Sequence, residues 1–91
     1  MSNRWDDLNS AQIAGRLAAD PDTVALIPVG ATEQHGPHLP VGTDTIMATA
    51  VAEAAALDLA LVLPALAFGA SFFHGTMLAG TVRAAAWRPL W

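Results

Sequence analysis

Apolar and polar positions along the chain predict four regular elements. The first is a short amphipathic helix over Leu8–Asp20, in which Ile13 and Leu17 recur at helical spacing. Either Asn9 or Ser10 can cap its first turn, because both side chains carry an oxygen that accepts a backbone N–H. A proline directly after this segment ends the helix, since proline forces the residue before it out of helical geometry.

Two apolar runs predict strands. Val24–Val29 is almost continuously apolar and ends at a glycine, which is typical of a strand buried on both faces of a parallel sheet. Pro28 belongs at the end of this strand, because proline cannot donate to a sheet ladder. Leu59–Leu63 predicts a second strand, which ends at Pro64.

The residues between the two strands predict a long loop and a second helix. Residues 31–43 contain two glycines and two prolines and predict an irregular loop. Thr43 or Asp44 can cap a helix that runs to about Leu57. Strand, loop, helix and strand in this order form one βαβ unit. We therefore expect an α/β fold whose chemistry lies at the carboxyl ends of the strands.

Composition narrows the classes of function. The chain has 91 residues, of which 54% are hydrophobic and 13% charged, and its net charge is −4. Such a chain forms at most one domain with a modest core, and so apolar a surface favours partners. No cluster of Lys or Arg can neutralise phosphates, so we expect no nucleic-acid partner. The sequence has no cysteine, so any metal must be held by histidine and carboxylate side chains.

Two segments bear on cellular location. Leu59–Val82 has no Asp, Glu, Lys or Arg over a length that could span a bilayer. Its proline, its glycines and His74 would leave backbone groups unpaired in lipid, so we expect no membrane insertion. Met1–Asp7 carries two aspartates instead of the basic start of a secretory signal, so we expect a cytoplasmic protein.

Potential metal ligands concentrate in the loop and at the start of the second helix. Glu33, His35, His38 and Asp44 fall within twelve positions that follow a predicted strand. A strand end is a rigid mount, so the loop can bring these oxygen and nitrogen ligands together around Zn²⁺ or Mn²⁺. The helix dipole favours a negative charge at Asp44, which could then bridge two cations. Singly, the residues also fit ordinary roles: a helix cap for Asp44, a solvated Glu33 and a turn histidine for His38.

Residues 26–44 read LIPVGATEQHGPHLPVGTD and resemble the signature segment of the creatininase (creatinine amidohydrolase) family almost residue for residue. The resemblance implies that Glu33 and His35 each bind one of two divalent metal ions, Zn²⁺ or Mn²⁺, and that Asp44 bridges them. It also implies a three-layer α/β/α fold with a mostly parallel sheet, of which this chain holds the N-terminal βαβ portion. The implied reaction is hydrolysis of a C–N bond in a small or cyclic amide by metal-bound hydroxide.

A second segment resembles the family's next block, a Gly-x-Ser-x-x-His loop that leads into Gly-Thr. It comprises Phe68–Ser71, His74 and Gly80–Thr81. The resemblance implies that Ser71 and His74 line the substrate pocket, and a structural role for His74 is the alternative. Phe73 departs from the pattern, because family members carry an acidic residue before the histidine.

The resemblance assigns residues 1–83 to the N-terminal part of a creatininase-like domain, and residues 84–91 diverge from it. This tail has neither helical nor strand periodicity, so it is either a frayed end or the product of a frameshift near Arg83. The family's later Asn-Gly-His segment, with a His and a Glu that complete both metal spheres, has no counterpart in these residues. We therefore expect no complete catalytic set and no activity from this chain alone.

The family also suggests partners. Its members are oligomers, commonly hexamers, which implies a homo-oligomer. Implied substrates range from creatinine to formamide-type compounds and a peptide precursor of mycofactocin, and no residue of the chain selects one. An alternative function is a non-catalytic fragment or pseudo-enzyme that acts only through self-association or binding. A third candidate function is that of a module that binds a single metal ion.

Overall fold

The computed structural model describes residues 2–69 and 79–82, so the tail of residues 84–91 lies outside the described part. A 3₁₀ turn at Trp5–Asp7 precedes two helices and two strands. In chain order these are α1 Ser10–Ala19, β1 Val24–Leu26, α2 Thr43–Ala56 and β2 Ala60–Val62. The predicted βαβ unit is confirmed. Within the described ranges, none of the helices has the length and apolar character needed to cross a bilayer.

Asn9 begins α1 as its N-cap, and the cap is reciprocal. The Asn9 side chain accepts a hydrogen bond from the Gln12 backbone N–H at 2.9 Å, and Gln12 Oε1 accepts one from the Asn9 N–H at 2.9 Å. The first bond satisfies a donor that the start of a helix leaves unpaired, and the second locks the cap in place. Of the two capping residues that the sequence allows, the structure selects Asn9, and Ser10 is the first helical residue.

β1 and β2 pair in parallel, with Leu26 opposite Val62, and α2 lies in the crossover that parallel pairing requires. The N-terminal segment lies along the other edge of β2. There Arg4 forms a bridge with Val62, and the Val62 N–H donates to the Asn3 carbonyl at 2.7 Å. The hydropathy pattern does not predict this neighbour, because residues 2–4 are polar and carry no strand alternation.

β1 is shorter and more exposed than predicted. It ends at Leu26 instead of Val29, because Pro28 has no N–H and the regular ladder stops before it. Pairing resumes as a single bridge between Val29 and Leu66. The prediction of burial on both faces is wrong, since Val24 is 56% exposed. In the described part of the chain β1 has a neighbouring strand on one side only.

The core lies where α2 packs on β2. A small cluster of alanine and aliphatic side chains joins the two elements: Ala56, Ala60 and Val62, with Leu26 and Ala52 packed against them. Leu61 is completely buried as well. The predicted second strand is confirmed at Ala60–Val62, where all three residues are buried, and α2 packs against it through Ala52 and Ala56.

An ion pair ties the N-terminal segment to α2. Arg4 Nε donates to Glu53 Oε1. This hydrogen bond and the negative charge of Glu53 raise the pKa of the Arg4 guanidinium above its ordinary value. Both side chains are exposed, so the pair adds little to stability.

Candidate metal centre

The loop after β1 begins on a fixed mount beside the continuation of β2. The Gly30 N–H donates to the Leu66 carbonyl at 2.8 Å, and the Leu66 N–H donates to the Pro28 carbonyl at 2.9 Å. One step further along, the Thr32 hydroxyl donates to the Ala67 carbonyl at 2.8 Å. The start of the loop is therefore held by sheet-like hydrogen bonds, although no regular strand forms there.

Residues 79–82 hold the same loop from another side. The Thr81 hydroxyl accepts a hydrogen bond from the Gln34 N–H at 3.0 Å. The Val82 N–H donates to the Thr32 carbonyl at 2.9 Å. The loop backbone on both sides of Glu33 is thereby restrained, which a ligand site needs if its side chains are to keep a fixed geometry.

Two glycines with positive φ shape this region. Gly36, directly after His35, has φ +75°, and its N–H donates to the Gln34 side chain at 3.0 Å. Gly80 has φ +113°, and a Cβ there would lie 2.6 Å from Val41. Both backbone conformations are ones that L side chains rarely adopt, so each position favours glycine on conformational grounds.

α2 begins differently from the sequence prediction. Gly42 is the N-cap, and no side chain caps the helix. The prediction of a cap by Thr43 or Asp44 is wrong, because both lie inside the helix and the Thr43 hydroxyl instead donates to the Pro40 carbonyl at 2.6 Å. Asp44 stands in the first turn, where the helix dipole favours its negative charge as predicted.

Glu33, His35 and Asp44 converge at the junction of the loop and α2. Each of the three residues offers one potential ligand atom, and these three atoms all lie within 4.8 Å of one another. The distance from His35 Nε2 to Asp44 Oδ1 is 3.2 Å. All three residues are partly buried, and the side chains of His35 and Asp44 are 26% and 41% exposed. A ligand could therefore enter from solvent and still be partly shielded from it.

His35 Nε2 is the most informative atom of the cluster. It is buried and has no hydrogen-bond partner among the described residues, although Asp44 is close, so the 3.2 Å contact lacks hydrogen-bond geometry. Leaving a buried polar atom unsatisfied costs about 1–3 kcal/mol. A cation held between this nitrogen and the neighbouring carboxylates removes that cost. One imidazole and two carboxylates are also a donor set that suits Zn²⁺ or Mn²⁺, so the residues fit a metal site.

The other candidates from the sequence do not join this cluster. His38 is exposed, and its ring lies beside Gly36, 3.2 Å from where a Cβ of that glycine would be. It fits the turn-residue alternative. Ser71 and His74 lie outside the described residues, so their role in a substrate pocket stays a prediction.

Sequence reasoning missed the residues that hold the loop in place. Thr32, Gln34 and Thr81 supply the hydrogen bonds, and the last two are 47 positions apart. Periodicity reports only local structure, so it cannot show this pairing. The one available signal is that Thr81 belongs to the second segment that resembles the family pattern.

Comparison with known proteins gives a consistent assignment. The sequence pattern of the creatininase family, described as creatinine amidohydrolase, matches residues 6–86. The chain is 44% identical to the mycofactocin precursor peptide peptidase of Mycobacterium tuberculosis, over 82% of this chain and 35% of the relative. It is 41% identical to the creatinine amidohydrolase of Pseudomonas putida, over 69% of this chain and 24% of the relative. The chain thus spans about a third or less of the length of these curated relatives.

Solved structures agree with the sequence relatives. A tryptophan-to-alanine variant of creatininase superposes with a TM-score of 0.82 at 35% identity, over 92% of this chain and 34% of that one. A Zn–Zn form and a Mn form of creatininase superpose with TM-scores of 0.79 and 0.81, each at 34% identity and with the same coverage of both chains. The predicted α/β class and creatininase-like fold are confirmed. On sequence pattern, identity and fold together, the chain belongs to the creatininase family.

Proposed function

We propose that Glu33, His35 and Asp44 are metal ligands in a hydrolase that cleaves a C–N amide bond. The observation that carries this proposal is the buried Nε2 of His35, which lacks a hydrogen-bond partner within residues 2–69 and 79–82 and lies 3.2 Å from the Asp44 carboxylate. The Zn–Zn and Mn forms of creatininase, whose fold this chain shares, support the same choice of metals. A complete family site holds two such ions, and these three residues are this chain's contribution to it.

Each side chain has a separate task in the proposed site. Asp44 presents its carboxylate from the first turn of α2, where the positive end of the helix dipole keeps a negative charge favourable. His35 offers a buried ring nitrogen that has no hydrogen-bond partner among the described residues. Glu33 is placed by its backbone, because its N–H donates to the Val41 carbonyl at 3.0 Å. When bound, divalent ions activate water and polarise the carbonyl under attack.

The proposed substrate class is an amide. The two named relatives are a peptidase and an amidohydrolase, and both names denote hydrolysis of a C–N amide bond. Identity to the two is similar, at 44% and 41%, so the chain favours neither a peptide nor a cyclic amide. The proposed substrate is therefore a small amide or a short peptide, both of which contain the C–N amide bond.

A chimera tests the reaction directly. Residues 6–86 replace the matching segment of the Pseudomonas putida creatinine amidohydrolase, and the product is assayed for metal content and creatinine hydrolysis. We expect metal-dependent turnover, which the Glu33→Gln change abolishes together with metal uptake. Glu53→Gln is the matched control, since Glu53 lies on α2 outside the cluster. Full metal content and turnover in the Glu33→Gln chimera contradict the proposal.

A second candidate function, self-association, rests on exposed apolar surface. A groove of about 500 Å³ between β1 and α2 is lined by Ile27, Val29, Met47 and Val51 among others, and these four side chains are 55–66% exposed. Surface of this kind favours burial against another chain, and we propose a second copy as the partner. Sedimentation velocity of Val51→Glu tests this: we expect it to dissociate an oligomer that Leu59→Glu, an exposed change outside the groove, leaves intact.

A further inference from the structure

The first turn of α2 crosses the start of the metal loop at one very close contact. An added Cβ on Gly30 would lie 2.5 Å from the Thr45 Cα, 2.5 Å from Thr45 Oγ1 and 2.6 Å from the Thr45 N. Real Cβ atoms do not approach other heavy atoms so closely. Two of the three atoms are backbone, so a change of rotamer at Thr45 cannot relieve the clash.

Gly30 favours glycine for a different reason from the two glycines with positive φ described above. Gly36 and Gly80 have positive φ, whereas Gly30 does not. Its constraint is space alone. The Gly30 backbone is also held in place, because its N–H donates to the Leu66 carbonyl at 2.8 Å. A side chain at Gly30 would therefore displace α2 more readily than it would displace the loop.

The contact between Gly30 and Thr45 joins the loop and the helix that carry the three cluster residues. Asp44 immediately precedes Thr45 on α2, and Glu33 and His35 follow Gly30 by three and five positions on the loop. The Thr45 hydroxyl also donates to the Ala31 carbonyl at 3.4 Å. The loop and the helix thus have a direct crossing point, and the position of Asp44 relative to His35 depends on it.

We infer that Gly30 is a positioning residue for the metal centre, which sets the Asp44 carboxylate against His35 by allowing α2 to approach. This inference rests on the proposed function. Magnitudes support it: the contact must open by at least 0.5 Å, from 2.5 Å to the 3.0 Å below which real Cβ atoms are essentially never found, and by 0.9 Å to reach the 3.4 Å of an ordinary contact. Metal–ligand distances tolerate only about 0.2 Å. Even the smaller movement exceeds this tolerance.

The test measures zinc affinity and folding separately in the full chain. Zinc is titrated in competition with a chromogenic chelator, and far-UV circular dichroism and the thermal midpoint report folding. We expect Gly30→Ala to weaken zinc binding at least about tenfold, which is the typical effect of changing groups that orient metal ligands. The comparison is made at a temperature where the helical signal of the variant equals that of the parent. Gly15→Ala is the control, because nothing lies within 4 Å of a Cβ at Gly15.

A second pair of variants keeps the test decisive if Gly30→Ala fails to fold. Thr45→Val retains the size of the side chain and removes its hydrogen bond to Ala31, and Thr49→Val makes the same change one turn later on α2. We expect weaker zinc binding for Thr45→Val only. Unchanged affinity in folded Gly30→Ala, or equal effects of the two threonine changes, overturns the inference. If Asp44→Asn still abolishes zinc binding in that case, the proposed function stands; if the parent chain binds no zinc, both fail.

Discussion

His35 Nε2 and Asp44 Oδ1 lie 3.2 Å apart without forming a hydrogen bond, and the nitrogen is buried. The two residues reach this contact from different elements: His35 from a loop restrained by its neighbours, and Asp44 from the first turn of α2. A folded chain rarely leaves such an atom unsatisfied. The proposed cation between the ring nitrogen and the carboxylate would satisfy this atom.

Loss of the Asp44 charge should abolish zinc binding. Asp44→Asn keeps the size of the side chain and removes the anion that faces His35. We expect the affinity for zinc to fall by more than roughly 10–100-fold, the loss that is typical when the mutated residue only supports a metal-binding side chain. Isothermal titration calorimetry with zinc measures the effect. Asp58→Asn, at an exposed position after α2, is expected to bind as the parent does, and equal losses in both variants would sink the assignment.

The two loop histidines should behave differently. His35→Ala removes the ring nitrogen of the cluster, whereas His38→Ala removes an exposed ring outside it. We expect zinc or manganese uptake, measured by metal analysis after dialysis, to be lost in the first variant and kept in the second. Retention by His35→Ala together with loss in His38→Ala would show that the ligand set is wrong.

Leu61 should dominate the stability of the sheet. It is completely buried in β2, while Leu59 just before the strand is 76% exposed. Truncation of a buried leucine to alanine costs roughly 2–5 kcal/mol, because it removes apolar contacts and leaves a cavity. Urea denaturation should therefore show a large loss for Leu61→Ala and almost none for Leu59→Ala. Similar losses in the two variants would place the core elsewhere.

The start of α1 offers a smaller and separate test. Asn9→Ala removes the acceptor for the Gln12 N–H, and substitution of an N-cap typically costs about 0.5–2 kcal/mol. Ser10→Ala should leave the unfolding free energy nearly unchanged, since Ser10 already lies inside the helix. If chemical denaturation shows a larger loss of stability for Ser10→Ala than for Asn9→Ala, the helix begins one residue later.

Local features of the fold could be predicted from the sequence, and features set by distant contacts could not. The cap at Asn9 and the breaking effect of Pro28 act over a few residues, so the pattern contains them. The exposure of Val24 and the bridge between Arg4 and Val62 depend on which segments become neighbours in the folded chain. Periodicity has no access to that information.

The same distinction holds for the metal cluster. Glu33, His35 and Asp44 come from one short stretch, so their convergence could be anticipated. The support from Thr81, 47 positions from Gln34, could not. The close contact between Gly30 and Thr45 was equally hidden, because a glycine after an apolar run reads as the end of a strand and gives no sign of what crosses over it.

Zinc titration of the chain labelled with ¹⁵N-histidine tests the central claim most directly, because nuclear magnetic resonance then observes each ring nitrogen separately. The account predicts that zinc shifts the Nε2 resonance of His35 at low metal concentration, that the His38 resonances stay in place, and that Asp44→Asn removes the effect. It is contradicted if the His35 Nε2 resonance does not respond to zinc, or if its response is the same in Asp44→Asn.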